Sequence, residues 1–154
     1  MTISVRQADL ADLPTLLSFE QRIVSAERPF DPTIREDPVS YYDLKRLLDS
    51  PDAVVLVAED HGTIIGSGFA RKKASREYTE PSHHANLGFM YVVPDHRGEG
   101  VNRLILQELF RWAKEKGLPE TRLTVYPGNR PALRAYEKAG FAPYILEMRK
   151  RLDH

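Results

Sequence analysis

The chain contains no cysteine. That excludes disulfides, a zinc–thiolate site and an acyl-enzyme formed on a Cys thiolate. It also lacks an excess of charge of either sign: Lys plus Arg number 22, and Asp plus Glu number 22. Composition therefore gives no pull toward nucleic acid or an anionic membrane, and an anion site has to be local, built from a few arginines and backbone N–H groups. Long apolar runs are missing too, since none approaches the roughly 18 residues that a membrane-spanning helix needs. The first residues carry Arg6, Asp9 and Asp12 and do not read as a signal peptide. The expectation is a cytoplasmic protein with no nucleic-acid and no membrane partner.

What is present fits an ordinary globule. The 154 residues are 42% hydrophobic and 29% charged, the size and composition of one domain over 1–154. Neither a repeat nor a low-complexity segment stands out. Ile3-Ser4-Val5-Arg6 alternates as a first strand. From Asp12 to about Arg28, Leu13, Leu16, Leu17, Glu20, Ile23 and Val24 fall mostly at helical spacing, with Asp12 as a cap and Pro14 in the first turn. Two prolines make Arg28 to Pro32 a loop, and a second helix is expected over Ser40 to Leu48. Ala53 to Ala58 and Thr63 to Ala70 read as a hairpin around His61-Gly62. Arg71 to Ser82 reads as a loop or ragged strand end, and Ala85 to Val93 as the next strand. Glu99 to about Lys116 carries an apolar stripe of Val101, Leu104, Ile105, Leu109 and Trp112, ended by Gly117. Thr121 to Tyr126 alternates as a strand, Arg130 to Ala139 reads as a short helix capped by Asn129, and Tyr144 to Arg149 as a last strand. The order is that of a mixed α/β sheet.

Two segments carry chemistry. In Arg97-Gly98-Glu99-Gly100-Val101-Asn102 a strand ends, the chain turns, and a helix begins. Gly98 and Gly100 leave backbone N–H groups uncovered, the helix start adds partial positive charge, and Arg97 adds a full one. The segment suits a phosphate or pyrophosphate, and it suits a plain turn equally well. A P-loop is excluded because Gly-Lys-Ser/Thr is absent at its spacing, and a dinucleotide fingerprint because Arg103 stands where its third glycine belongs. In the second segment Asn129 and Tyr136 stand two helical turns apart on one face. The amide can bond a peptide-like chain and the phenol can give a proton to a leaving group. The plainer use is a helix cap and a half-buried aromatic.

In this order and separation the two segments resemble the GNAT N-acetyltransferase superfamily. Its pattern Arg/Gln-x-x-Gly-x-Gly/Ala after a strand reads here Arg97-Gly98-Glu99-Gly100-Val101-Asn102, with Asn102 in place of the last Gly or Ala. Its later pattern reads Asn129, Ala132, Tyr136 and Gly140-Phe141. The resemblance implies a single-domain, mostly antiparallel mixed sheet flanked by helices, with acetyl-CoA as cosubstrate and no metal. Backbone groups of Met90 and Val92, in Met90-Tyr91-Val92, would pair with the pantetheine arm. Backbone N–H groups from Arg97 to Asn102, through Gly98, Glu99, Gly100 and Val101, would hold the pyrophosphate. Asn129 and Ala132 would line the pantetheine, and Tyr136 would protonate the departing thiolate as general acid.

The position where several family members place a Glu or His base is Asn86, whose amide accepts no proton at pH 7. His84, on the same face by the two-residue period, is the base candidate acting through water, with Glu77, Glu80 and Glu27 as looser candidates. The absence of cysteine favours direct attack of a neutral amine in a ternary complex, with a strand N–H near Val92 receiving the oxyanion. A non-catalytic acyl-CoA-binding module would keep the glycine loop and lose the leaving-group acid, so Tyr136 favours an enzyme. The acceptor stays open among a small amine, an amino acid and a protein amino terminus. Ile145 and Met148 on the last strand are expected to offer an apolar edge for a homodimer.

Overall fold

The computed structural model describes residues 2–153. They form two compact units that divide between Thr124 and Val125.

The first unit is built on a five-stranded sheet in the order β1-β2-β3-β4-β5. Strands β1 (Ile3–Gln7), β2 (Ala53–Asp60), β3 (Thr63–Ala74) and β4 (His83–Val92) form an antiparallel meander, and β5 (Thr121–Arg122) runs parallel to β4. The β2–β3 hairpin turns through His61 and Gly62, both at positive φ (50° and 79°), as a tight hairpin turn requires. Segment Arg71 to Ala74, expected to be loop or ragged strand, continues β3.

Helices cover both faces. On one lie α1 (Leu13–Glu27) and α2 (Leu44–Asp49), where Leu16, Phe19, Ile23 and Leu44 pack with Val55, Val57, Phe69, Phe89 and Tyr91. On the other lies α3 (Val101–Glu115), which buries Val101, Ile105, Leu106, Leu109 and Ala113. Two glycines of β3 allow that helix to come close. A Cβ on Gly66 would stand 3.1 Å from Val101 Cγ1, and one on Gly68 would stand 2.8 Å from Ile105 Cγ2.

Three boundaries differ from the sequence expectation. Asp12 does not cap α1. Its carboxylate takes a bidentate bond from Arg6 (2.8 and 2.9 Å) and accepts the Asp9 N–H, closing a capping box on the single turn Leu10–Asp12. Helix α2 starts at Leu44 rather than Ser40, because the N–H groups of Tyr41 and Tyr42 both donate to Glu20 Oε2 (3.0 and 2.8 Å) and leave Asp43 to cap. The strand expected over Thr121 to Tyr126 is only the pair Thr121–Arg122.

The second unit contains α4 (Arg130–Lys138). Asn129 caps it, its side-chain oxygen accepting from Ala132 N at 3.4 Å, and Pro131 sits in the first turn. Gly140, at φ 101°, follows its end. The expected last strand, Tyr144 to Arg149, is neither helix nor strand. A strand exists only where a ladder forms, and alternation in sequence supplies the side chains but not the partner.

Candidate cofactor and active site

Strand β4 carries a bulge. Ser67 pairs with Tyr91, whereas Phe69 pairs with Gly88, so three steps on β4 oppose two on β3. The extra residue falls at Phe89, which is buried and left-handed at φ 60°. Its carbonyl accepts the hydroxyl of fully buried Ser67 at 2.9 Å. Opposite, the ring of Phe69 lies over Gly88, where a Cβ would meet ring carbon Cζ at 2.7 Å.

Beyond the bulge, one edge of β4 opens. Strand β5 pairs with β4 only at Ala85 and Asn86, and among the described residues no strand pairs with Leu87 to Val92 on that side. The N–H of Val93 donates to Ile65 O at 2.9 Å, toward β3. Since successive residues alternate, the Val92 N–H points to the open side, and that of Met90 with it. These are the two residues expected to meet a pantetheine arm.

From Val92 the chain makes one tight turn, Pro94–His96, and reaches the glycine loop. Gly98 and Gly100 adopt φ 81° and 82°, and the space a Cβ would occupy at each holds no atom within 4 Å. The ladder of α3 begins with Leu104 N donating to Gly100 O at 3.1 Å. The N–H groups of Val101, Asn102 and Arg103 therefore precede it, at the positive end of the helix dipole. A row of N–H groups left uncovered at Gly98 and Gly100 fits a pyrophosphate. Asn102 leaves its N–H in that row.

Arg97 behaves differently from expectation. Its N–H donates to Pro94 O (3.3 Å), and its Nε donates to Val92 O (3.0 Å). The side chain thus folds back on the end of β4, with the guanidinium 5.9 Å from the Tyr91 ring centroid. It occupies the Val92 carbonyl and leaves the Val92 N–H for a ligand. The loop is also tied to β2, through His96 Nε2 and Asp60 Oδ2 at 3.2 Å.

The base candidates separate. His84 lies eight residues before Val92 on β4, roughly 26 Å away along a strand. It is buried, its Nδ1 lies 2.9 Å from Ser75 Oγ, and burial, then the charge of Arg122, push its pKa down, so it is neutral at pH 7. Asn86 accepts a bond from Arg71. Glu27 closes α1 half-buried. Burial pushes its carboxyl up, a hydrogen bond with Tyr41 partly offsets that, and the charge of Asp31 adds to the rise. The Tyr41 ring meets Tyr42 edge-on at 5.7 Å, and Tyr42 meets the bulge residue Phe89 at 5.7 Å. A chain of contacts therefore runs from Glu27 to the bulge.

In the second unit Asn129 caps α4, which carries Tyr136, and the Tyr136 ring meets Phe141 edge-on at 5.8 Å. Sequence reasoning missed Ser67, Phe89 and the clamp made by Glu20. Gly88 within a strand was the one legible sign of the bulge.

The chain belongs to the acetyltransferase (GNAT) family, which it matches over residues 20–141. A mycothiol acetyltransferase of Thermomonospora curvata is 31% identical over 99 residues, covering 62% of this chain and 30% of that protein. The chain spans about a third of the length of the first curated relatives it matches. Among solved structures, a predicted acetyltransferase with acetyl-CoA from Clostridium acetobutylicum superposes with a TM-score of 0.74 at 23% identity, over 96% of each chain. An aminoglycoside antibiotic 6'-N-acetyltransferase from Acinetobacter haemolyticus superposes with a TM-score of 0.72 at 20% identity, over 97% of this chain and 99% of that one. Those two likenesses are of fold.

Proposed function

We propose that the chain is a single N-acetyltransferase domain that moves the acetyl group of acetyl-CoA to a primary amine by direct attack. The observation that carries this reading is the continuity of one strand–turn–helix: the Val92 N–H on an open strand edge, followed by the N–H cradle from Gly98 to Asn102. An extended amide-bearing arm can bond the strand edge while its pyrophosphate sits in the cradle.

The chemistry follows from that placement. The neutral amine nitrogen attacks the thioester carbon, and a strand N–H near Val92 receives the oxyanion. The C–S bond then breaks, the Tyr136 phenol protonates the thiolate, and the amine's proton leaves to a base. An alkylammonium titrates near pH 10, so a carboxylate raised toward neutrality suits that last task better than an ordinary one. Glu27, acting through water, is preferred here to His84, because contacts link it to the bulge while His84 lies far down the strand.

The test is release of CoA thiol from acetyl-CoA over a panel of small amines, amino acids, an aminoglycoside and peptides with free amino termini. Turnover with one of these supports the reading. Tight acetyl-CoA binding without turnover on any of them would instead favour an acyl-CoA-binding module.

A further inference from the structure

A groove of about 710 Å³ lies between α1 and the end of β4. Its floor is Tyr91 and its walls include Arg22 and Arg97, with the hydroxyls of Ser18 and Ser25 and the amide of Gln21 along the α1 side. Arg22 Nη1 donates to the Tyr91 hydroxyl at 3.3 Å, and the Arg97 guanidinium stands 5.9 Å from the centre of the same ring. Two positive charges therefore flank one phenol.

The groove holds no carboxylate to balance them. Several other arginines have an acidic partner: Arg6 has Asp12 and Glu59, Arg28 has Asp37, and Arg111 has Glu108. Among the described residues neither Arg22 nor Arg97 has an acidic side chain within ion-pair distance. In a chain with equal numbers of acids and bases, an unbalanced pair facing neutral donors is a site for an oxyanion group. The cradle of Gly98 to Asn102 is a different set of donors, all of them backbone.

The geometry points to a carboxylate of the acetyl acceptor as the group this groove binds, which makes the acceptor an amine that also carries a carboxylate, such as an amino acid. The inference rests on the transferase reading above. Tyr91 directly precedes Val92, so an acceptor held by its carboxylate at the Tyr91 hydroxyl lies beside the strand edge that receives the thioester. Arg22 is the specificity-determining residue, since Arg97 is also bonded to Val92 O. The same oxyanion chemistry fits a phosphate of CoA, and the experiment separates the two sources.

Acetyl transfer is measured for matched amines with and without the carboxylate, lysine against cadaverine and phenylalanine against phenethylamine, on wild type and Arg22→Gln. The expected result is a higher kcat/KM for the carboxylated partner by about ten- to hundredfold, carried by KM and abolished in R22Q. The acetyl-CoA Kd should stay within about twofold of wild type. Equal or better use of the decarboxylated amines would overturn the proposal. So would a weakening of acetyl-CoA binding by tenfold or more in R22Q, which assigns the groove to a CoA phosphate. A direct measurement covers the case in which no amine is turned over: calorimetric binding of N-acetylglycine to wild type but not to R22Q upholds the groove while the transferase reading fails, and equal or absent binding to both proteins removes it.

Discussion

Ser67→Ala tests the bulge that opens β4. The Ser67 hydroxyl donates to Phe89 O at 2.9 Å, and both residues are almost wholly buried. Alanine is nearly the size of serine, so the substitution leaves little cavity and isolates the hydrogen bond. A buried carbonyl without its donor costs about 1–3 kcal/mol. Phe89 already sits at φ 60°, a conformation that costs a non-glycine residue roughly 1–2 kcal/mol, so the bond holds a strained residue in place. A stability loss of about 1–3 kcal/mol corresponds to a fall in Tm of about 2–12 °C for a chain of this size. Acetyl-CoA affinity should fall with it, because the bulge aims the N–H groups of Met90 and Val92. Urea unfolding gives the first quantity and calorimetry the second. A loss below about 0.5 kcal/mol, the ordinary range for substitutions away from special features, would show that Ser67 does not hold the bulge and would refute the reasoning.

Three further outcomes are expected. Gly100→Glu places a carboxylate in the N–H cradle at a position with φ 82°, and should raise the acetyl-CoA Kd by tenfold or more in calorimetry while circular dichroism stays native. Tyr136→Phe keeps the ring that meets Phe141 and should lower turnover by ~10²–10⁴-fold with little change in Tm; unchanged turnover would pass the proton-donor role to water. His84 is held below its ordinary value of 6.5 by burial, so between its folded-state pKa and 6.5 the unfolded chain binds more protons than the folded one. Its contribution to stability is complete above 6.5 and is lost as pH falls through that window; unfolding midpoints measured from about pH 5 to 7.5 should drop toward acid in wild type and flatten there in His84→Gln.

Much of this architecture is written locally. The apolar stripe Val101, Ile105 and Leu109 specifies α3 wherever it packs, Gly117 stops it, and His61-Gly62 turns the β2–β3 hairpin. The glycine loop is equally legible, because Gly98 and Gly100 act through their own backbone freedom and through the helix that begins beside them. Asn129 caps α4 as its residue type prescribes. What the sequence did not determine lies wherever a backbone group is claimed from far along the chain. Glu20 takes the N–H groups of Tyr41 and Tyr42 and moves the start of α2. Ser67 fixes the bulge at Phe89 from the neighbouring strand, and that bulge, not the motif beside it, turns an edge of β4 into an opening. The groove between Arg22 and Arg97 joins positions 75 residues apart. Each is a contact between residues distant in sequence, and local pattern cannot carry it, because a donor's choice of acceptor is settled only when the chain has folded and water has been excluded from both.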